Sequence, residues 1–359
     1  MSDSTISWLE QIRAYLANMS PRPEPPPQPA APQPRRLGLA LGGGGGKGTA
    51  HIGVLQVLEE LDVPIDLVVG SSAGGAVAVL YAAGLSFDQI REIFRSTALR
   101  RIAVPDPTRM GLIGQRRREE ILRLLLGDRT FADLRLPCAV MATDLVSGRP
   151  VMIDEGPLVE ALLATTALPP IFPPVLRDEM VLADGGILNN LPVDAAQALG
   201  AGRVIAVELN DAVPGFSLAT PEATTPLARL MLAPQQFNVA GRALSLLVNH
   251  ATAMHLRDNP PDLLISPYVA DIHTLDLSNP EKGQAAGESA ARDLAEELMA
   301  LRAWRHELPV TPAEPAPAPE IEPPAPPAPA WPWLSLPFQL PRWGDEPQAH
   351  RPDQGPPGA

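Results

Sequence analysis

The chain has one cysteine, Cys138, so no disulfide framework holds it together. Cys138 lies in an apolar run with nothing beside it to lower its pKa, which describes an inert core thiol and fits a reducing compartment. Basic charge is also short. Lys and Arg number 28 against 41 Asp and Glu, and the net charge of −13 excludes non-specific binding of nucleic acid or anionic membrane by the whole surface. The local basic groups, Arg35-Arg36, Arg100-Arg101 and Arg116-Arg117-Arg118, read as solvated faces. No apolar run approaches the length of a membrane span, and the N-terminus lacks the basic region and small-residue cleavage site of a secretory signal. These absences describe a cytoplasmic protein, with at most peripheral contact at the inner face of a membrane.

Proline, by contrast, is plentiful and uneven. Of 44 prolines, 8 fall between Pro21 and Pro34 and 17 between Pro309 and Pro357, which marks those segments as non-globular. Four parts follow: an amphipathic helical leader (1–20), a Pro-rich linker (21–35), one domain (36–308) and a disordered Pro-rich tail (309–359). In the leader, Trp8, Leu9, Ile12, Tyr15, Leu16 and Met19 share one helical face. That face docks on its own domain, on a partner protein or on a membrane. The tail carries Trp331, Trp333 and Trp343 among prolines that forbid a helix, the form of a linear docking or interfacial element.

Within the domain, short apolar runs alternate with helical segments. Strands are expected at Leu37 to Leu41, Leu67 to Val69, Cys138 to Asp144, Val151 to Ile153, Met180 to Ala183, Arg203 to Leu209 and Leu263 to Ser266. Helices are expected at about 49–61, 76–83, 87–97, 115–126, 157–166, 193–199 and 226–257, with one long closing helix at 281–307. The pattern predicts a three-layer α/β/α fold on a mostly parallel sheet.

Chemistry concentrates at three places. The strand at Leu67 runs through Gly70-Ser71-Ser72-Ala73-Gly74 into a helix, the setting of a nucleophile elbow with Ser72 at its tip; a plain Gly/Ser turn has the same local form. The first strand runs into Gly42-Gly43-Gly44-Gly45-Gly46-Lys47-Gly48. A dinucleotide site would require a carboxylate at the end of the second strand, where Val69-Gly70-Ser71 stands. A Walker A loop fails at Leu41 and at Gly48. The remaining use is an oxyanion hole built from backbone N–H groups. Lys47 steadies that loop, balances an anionic substrate or is a surface lysine. A serine also needs a proton acceptor. None of the six histidines lies in a strand-end, Gly-flanked turn, whereas Asp184 ends a strand before Gly185-Gly186. A turn aspartate is the competing role.

Taken together, the glycine loop with Ala50-His51-Ile52-Gly53-Val54-Leu55, the elbow at Ser72, Ala142-Thr143-Asp144, Ala167-Leu168-Pro169-Pro170-Ile171-Phe172-Pro173-Pro174 and Asp184-Gly185-Gly186 resemble the patatin-like phospholipases, bacterial branch. The resemblance spans roughly 37–291. It implies a Ser–Asp dyad without histidine, with Ser72 as nucleophile and Asp184 as base. It also implies an oxyanion hole around Gly43, Gly44 and Gly45, and hydrolysis of lipid acyl esters without metal or organic cofactor. Leu168, Ile171, Phe172 and Val175 are then candidates for an acyl channel, or ordinary core. There are two departures: Lys47 stands where the family has arginine, and Pro170 where glycine is common. The expectation is a phospholipase A or lysophospholipase-like esterase. Its rivals are a catalytically silent scaffold that recruits membrane or protein through its termini, and a dinucleotide-binding protein.

Overall fold

The computed structural model describes residues 35–96, 102–209 and 235–307, apart from 273, 275, 276 and 278. The helical leader, the Pro-rich linker and the Trp-containing tail lie outside the described residues. Eight strands form one sheet: β1 (Leu37–Leu41), β2 (Leu67–Ser71), β3 (Cys138–Asp144), β4 (Arg149–Ile153), β5 (Val175–Arg177), β6 (Met180–Asp184), β7 (Arg203–Val207) and β8 (Leu263–Ile265). β3, β2, β1, β7 and β8 are parallel neighbours, while β4 and β6 run antiparallel to β3, and β5 antiparallel to β6.

The register has a consequence for the site. β4 covers one edge of β3 from Val140 to Asp144, so its partners β2 and β6 share the other edge. β2 ends there with Ser71 opposite Met141, and β6 arrives from the opposite direction with Asp184 opposite Ala142. The ends of β2 and β6 therefore occupy successive positions of one strand, about 3.3 Å apart along it.

The sheet is buried on both faces, which is why its central strands are continuous apolar runs. Leu37, Leu39, Leu41, Val68, Val140, Ile205 and Val207 enter one core, and the alternating Ala40, Leu67, Val69, Ala139, Val204 and Ala206 enter a second. The first core is closed by α1 (Ala50–Glu60), α2 (Ala73–Ala82), α3 (Phe87–Ser96), α4 (Arg116–Leu126), α5 (Leu158–Thr165) and parts of α8 (Pro280–Arg292) and α9 (Ala295–His306). The second is closed by α6 (Val193–Ala198) and Leu256 of α7 (Gln235–Asp258). The fold is thus a three-layer α/β/α sandwich with a mostly parallel central sheet.

Two expectations are corrected. The closing helix at 281–307 is two helices, with a break at Asp293–Leu294. α8 presses on α1 at a distance that only glycine allows: a Cβ on Gly287 would lie 1.9 Å from the Ala50 carbonyl oxygen, and one on Gly53 2.0 Å from that of Gln284. α9 follows a different course, fixed by Arg305, which clamps Asp66 through Nε and Nη2 at 2.6 and 2.8 Å, and by Trp304, which lies under Arg35 and Arg203. The second correction is β5, a three-residue strand that pairs with β6 around the tight turn at Asp178 (φ 54°).

Candidate active site

Ser72 stands at the N-terminus of α2 with φ 51° and ψ −121°, a conformation that costs energy for a residue with a side chain. The glycines on either side make the turn feasible. A Cβ on Gly70 would lie 2.4 Å from the Gly74 carbonyl, and one on Gly74 2.2 Å from the Leu41 carbonyl oxygen. G-x-S-x-G is therefore a steric requirement here, and it leaves the serine half-buried at the carboxyl end of β2, on a helix N-terminus that favours negative charge.

The Ser72 hydroxyl donates to Asp184 Oδ2 at 2.6 Å. The shared edge of β3 brings these residues together across 112 positions of sequence. Asp184 is held on every side: its N–H donates to the Ala167 carbonyl at 3.0 Å, its carbonyl accepts from Thr143 Oγ1 at 3.0 Å, and its Oδ1 accepts from Gly186 N–H at 2.8 Å. Gly185 lets the chain pass β3, since a Cβ there would meet the Met141 carbonyl oxygen at 2.3 Å. Burial raises the Asp184 pKa to about 6, against the opposing pull of Ser72, Gly186 N–H and Arg118. A carboxylate with that pKa, in contact with a hydroxyl, is equipped to accept its proton near neutral pH.

The glycine loop packs against the elbow. A Cβ on Gly43 would come 3.1 Å from Ser72 Cβ, and one on Gly48 2.6 Å from Ala73 Cβ. Of Gly43, Gly44 and Gly45, the glycines expected at an oxyanion hole, Gly43 donates its N–H to the Asn190 carbonyl at 3.0 Å. Next to them, Gly46 N–H is tied to the Thr274 carbonyl at 2.7 Å. His51 lies fully buried beneath the loop with its Nε2 2.7 Å from the Gly42 carbonyl. Burial lowers its pKa to about 4, so the ring is neutral and donates Nε2–H to that carbonyl. His255 on α7 meets Asp194 Oδ1 at 3.0 Å, a carboxylate that also accepts from Asn189 Nδ2 at 2.9 Å. Lys47 is half-buried, and it has an interaction of its own within the structure.

A short segment at the end of α5 joins these parts. Thr165 Oγ1 accepts the Ser72 N–H at 3.0 Å, Thr166 Oγ1 accepts from Arg118 Nη2, and Ala167 holds Asp184. Arg118 is the residue that the sequence reading misplaced. Arg116 and Arg117 are exposed and pair with Glu120, as a solvated face would, but Arg118 is buried, with its guanidinium 4.0 Å from the Phe172 ring centre. The available signal was α4's own spacing, which aligns position 118 with the buried Leu122 and Leu126. Among the channel candidates, Leu168, Ile171 and Phe172 are half-buried and belong to no core cluster, whereas Val175 packs against the main core.

Residues 39–197 match the model of the family described as patatin-like phospholipase. The chain is 34% identical over 171 residues to an NTE family protein of Mycobacterium tuberculosis, covering 47% of each chain. It is 32% identical over 264 residues to a second NTE family protein, from Mycobacterium bovis, covering 68% of this chain and 44% of that one. Human patatin-like phospholipase domain-containing protein 6 is 36% identical over 172 residues, covering 45% of this chain and 12% of the relative. The chain thus spans less than half the length of each of these curated relatives. Among solved structures, VipD from Legionella pneumophila aligns with a TM-score of 0.44 and 16% identity, over 80% of this chain and 72% of that one. The elbow, the glycine loop and the strand-end aspartate all fall within residues 39–197, the part of the chain that matches the patatin-like phospholipase family.

Proposed function

We propose that this chain is a serine hydrolase of lipid acyl esters, of phospholipase A or lysophospholipase type, working through a Ser72–Asp184 dyad. The observation that carries the reading is the 2.6 Å hydrogen bond from Ser72 Oγ to a buried carboxylate, beside a glycine loop packed on the same serine. In the proposed cycle, Asp184 takes the Ser72 proton as Oγ adds to the ester carbonyl carbon. The N–H groups of Gly44 and Gly45 hold the resulting oxyanion, each worth about 10²–10³ in rate. The carbonyl re-forms, the C–O bond to the alcohol or lysolipid breaks, and Asp184 returns the proton to that departing oxygen. Asp184 then takes a proton from water as its oxygen adds to the acyl-serine carbonyl; the acyl–Oγ bond breaks, Asp184 returns the proton to Ser72 Oγ, and the fatty acid leaves. The apolar Leu168 and Ile171 near this end of the sheet suit an acyl chain. Every group named belongs to the protein, so the cycle calls for no metal or organic cofactor.

The domain proposed for this chemistry is 36–308. The leader and the Trp cluster of the tail are proposed as docking elements for a lipid surface or a protein partner, leaving the chemistry to the domain. Among the described residues no helix is long and apolar enough to cross a membrane, in keeping with peripheral contact. The test is hydrolysis of a p-nitrophenyl acyl ester, then of a phospholipid panel, by the full chain and by residues 35–308. The proposal expects both to cleave the soluble ester and the full chain to act better on vesicles. Absence of turnover on every ester would overturn the enzymatic reading, and equal vesicle binding by both would overturn the role of the ends.

A further inference from the structure

α4 offers three side chains to the interior, at positions 118, 122 and 126, and two of them are leucine. The third is Arg118, only 8% exposed. Its Nη2 donates to Thr166 Oγ1 and its planar face lies on Phe172, but its Nη1 is buried with no hydrogen-bond partner among the described residues. A leucine would fill this place on packing grounds alone. A buried cation with an unmatched donor is costly and calls for a compensating charge nearby. Its acceptor Thr166 is followed by Ala167, whose carbonyl holds the Asp184 N–H at 3.0 Å, and Asp184 is the buried carboxylate whose charge reaches it.

We propose that Arg118 is a positioning residue for the catalytic base: seated on Phe172 and tied to Thr166, its guanidinium is a buried counter-charge that favours the carboxylate form of Asp184. The inference rests on the reading of Asp184 as base. Other charged groups packed around β6 are occupied elsewhere. Asp144 of β3 accepts the N–H groups of Val146, Ser147 and Val181, and pairs in register with Arg149 of β4. Glu160 of α5 faces Arg177 of β5 at 3.6 Å. On α4, Glu119 binds Arg123, and Glu120 binds Arg116 and Arg117. His51, beneath the glycine loop, is neutral. Arg118 keeps its proton despite burial, which lowers its pKa only to about 10, so it remains a cation throughout the working range.

The sign of the effect is fixed. A base works when ionised, so activity rises with pH through the pKa of Asp184, and a neighbouring cation moves that rise to lower pH. The experiment measures kcat and KM on a soluble short-chain ester from pH 4.5 to 9 for the parent, Arg118→Gln, Arg118→Met and Arg118→Lys. Arg118→Gln keeps a donor for Thr166 without the charge, and serves if Arg118→Met fails to fold. The neutral variants should move the acid limb of kcat upward by about one pH unit, with rates recovering to within a few fold of the parent at pH 9. Arg118→Lys should stay within about half a unit of the parent, and KM should change little in all three. A uniform loss at every pH, with the acid limb unmoved in the neutral variants, would make Arg118 a packing residue and overturn the proposal. Labelling by a fluorophosphonate at pH 8 separates this failure from that of the dyad. A parent labelled at Ser72 whose neutral variants show no shift contradicts the role of Arg118 alone, whereas a parent never labelled at Ser72 contradicts the dyad and this inference with it.

Discussion

Asp144 and Asp184 are the same residue in nearly the same place. Each closes a strand of one sheet, and the two strands pair with Ala142 opposite Asp184 and Asp144 opposite Leu182. Their carboxylates nevertheless shift in opposite directions, because hydrogen-bond donors dominate at one and burial dominates at the other. The Ser147 hydroxyl and the N–H groups of Val146, Val181 and Ser147 converge on Asp144 and lower it to about 2, so it is a permanent anion that ties a turn. Asp184 is buried and has one backbone N–H, a serine hydroxyl and a guanidinium for company, and burial prevails, raising it to about 6. In the proposed dyad, a strand-end aspartate serves as a base where burial outweighs the few donors it has and a hydroxyl stands in contact with it.

The comparison breaks if the two carboxylates prove interchangeable in activity. Asp184→Asn and Ser72→Ala should each lower kcat by about 10³-fold or more while circular dichroism stays native, and the double variant should be scarcely worse than either. Asp144→Ala should show the reverse pattern. Its melting temperature should fall by several degrees, while kcat per mole of folded protein, counted by active-site titration, stays within a few fold of the parent.

Stability against pH sharpens the contrast, because the signs are opposite. Asp144 has a depressed folded pKa, so its contribution is present above the unfolded value of about 3.9 and disappears as pH falls toward about 2. Asp184 has a raised folded pKa, so the protonated form is favoured by folding and stability falls as pH rises from about 4 to about 6. Asp184→Asn should therefore melt higher than the parent at pH 8 and lose that advantage near pH 4; a variant that melts lower at pH 8 would contradict the burial cost. The smallest effect is expected at Lys47. Lys47→Ala should reduce turnover several fold and Lys47→Arg less, with melting temperatures unchanged, and parity of both with the parent would remove Lys47 from the site.

How much of this was legible in the chain follows from the range of each interaction. The elbow at Gly70–Gly74, the glycine loop and Asp184-Gly185-Gly186 declare themselves because their steric demands are met within a few residues. The central strands declare themselves as apolar runs buried on both faces. Arg118 did not, because its burial depends on Thr166 and Phe172, about 50 residues away, while its two arginine neighbours point to solvent. The hydrogen bond from Gly43 N–H to the Asn190 carbonyl was equally hidden, because its partner lies far along the chain. The break at Asp293–Leu294 interrupts a sequence with continuous helical spacing, and its cause lies in what α8 and α9 pack against. β5 is too short for any periodicity to announce it.

The central claim is that Asp184, and no histidine, takes the proton of Ser72. The most direct measurement is the second-order rate of Ser72 capture by a fluorophosphonate from pH 4.5 to 8.5, in the parent, Asp184→Asn, His51→Ala and His255→Ala. The account predicts that the parent rate rises through a pKa near 6 and that both histidine variants keep this profile with rates within about tenfold of the parent. Asp184→Asn should be captured at least about 10²-fold more slowly at every pH. A histidine variant that is folded yet uncaptured, alongside an Asp184→Asn protein captured at the parent rate, would contradict it.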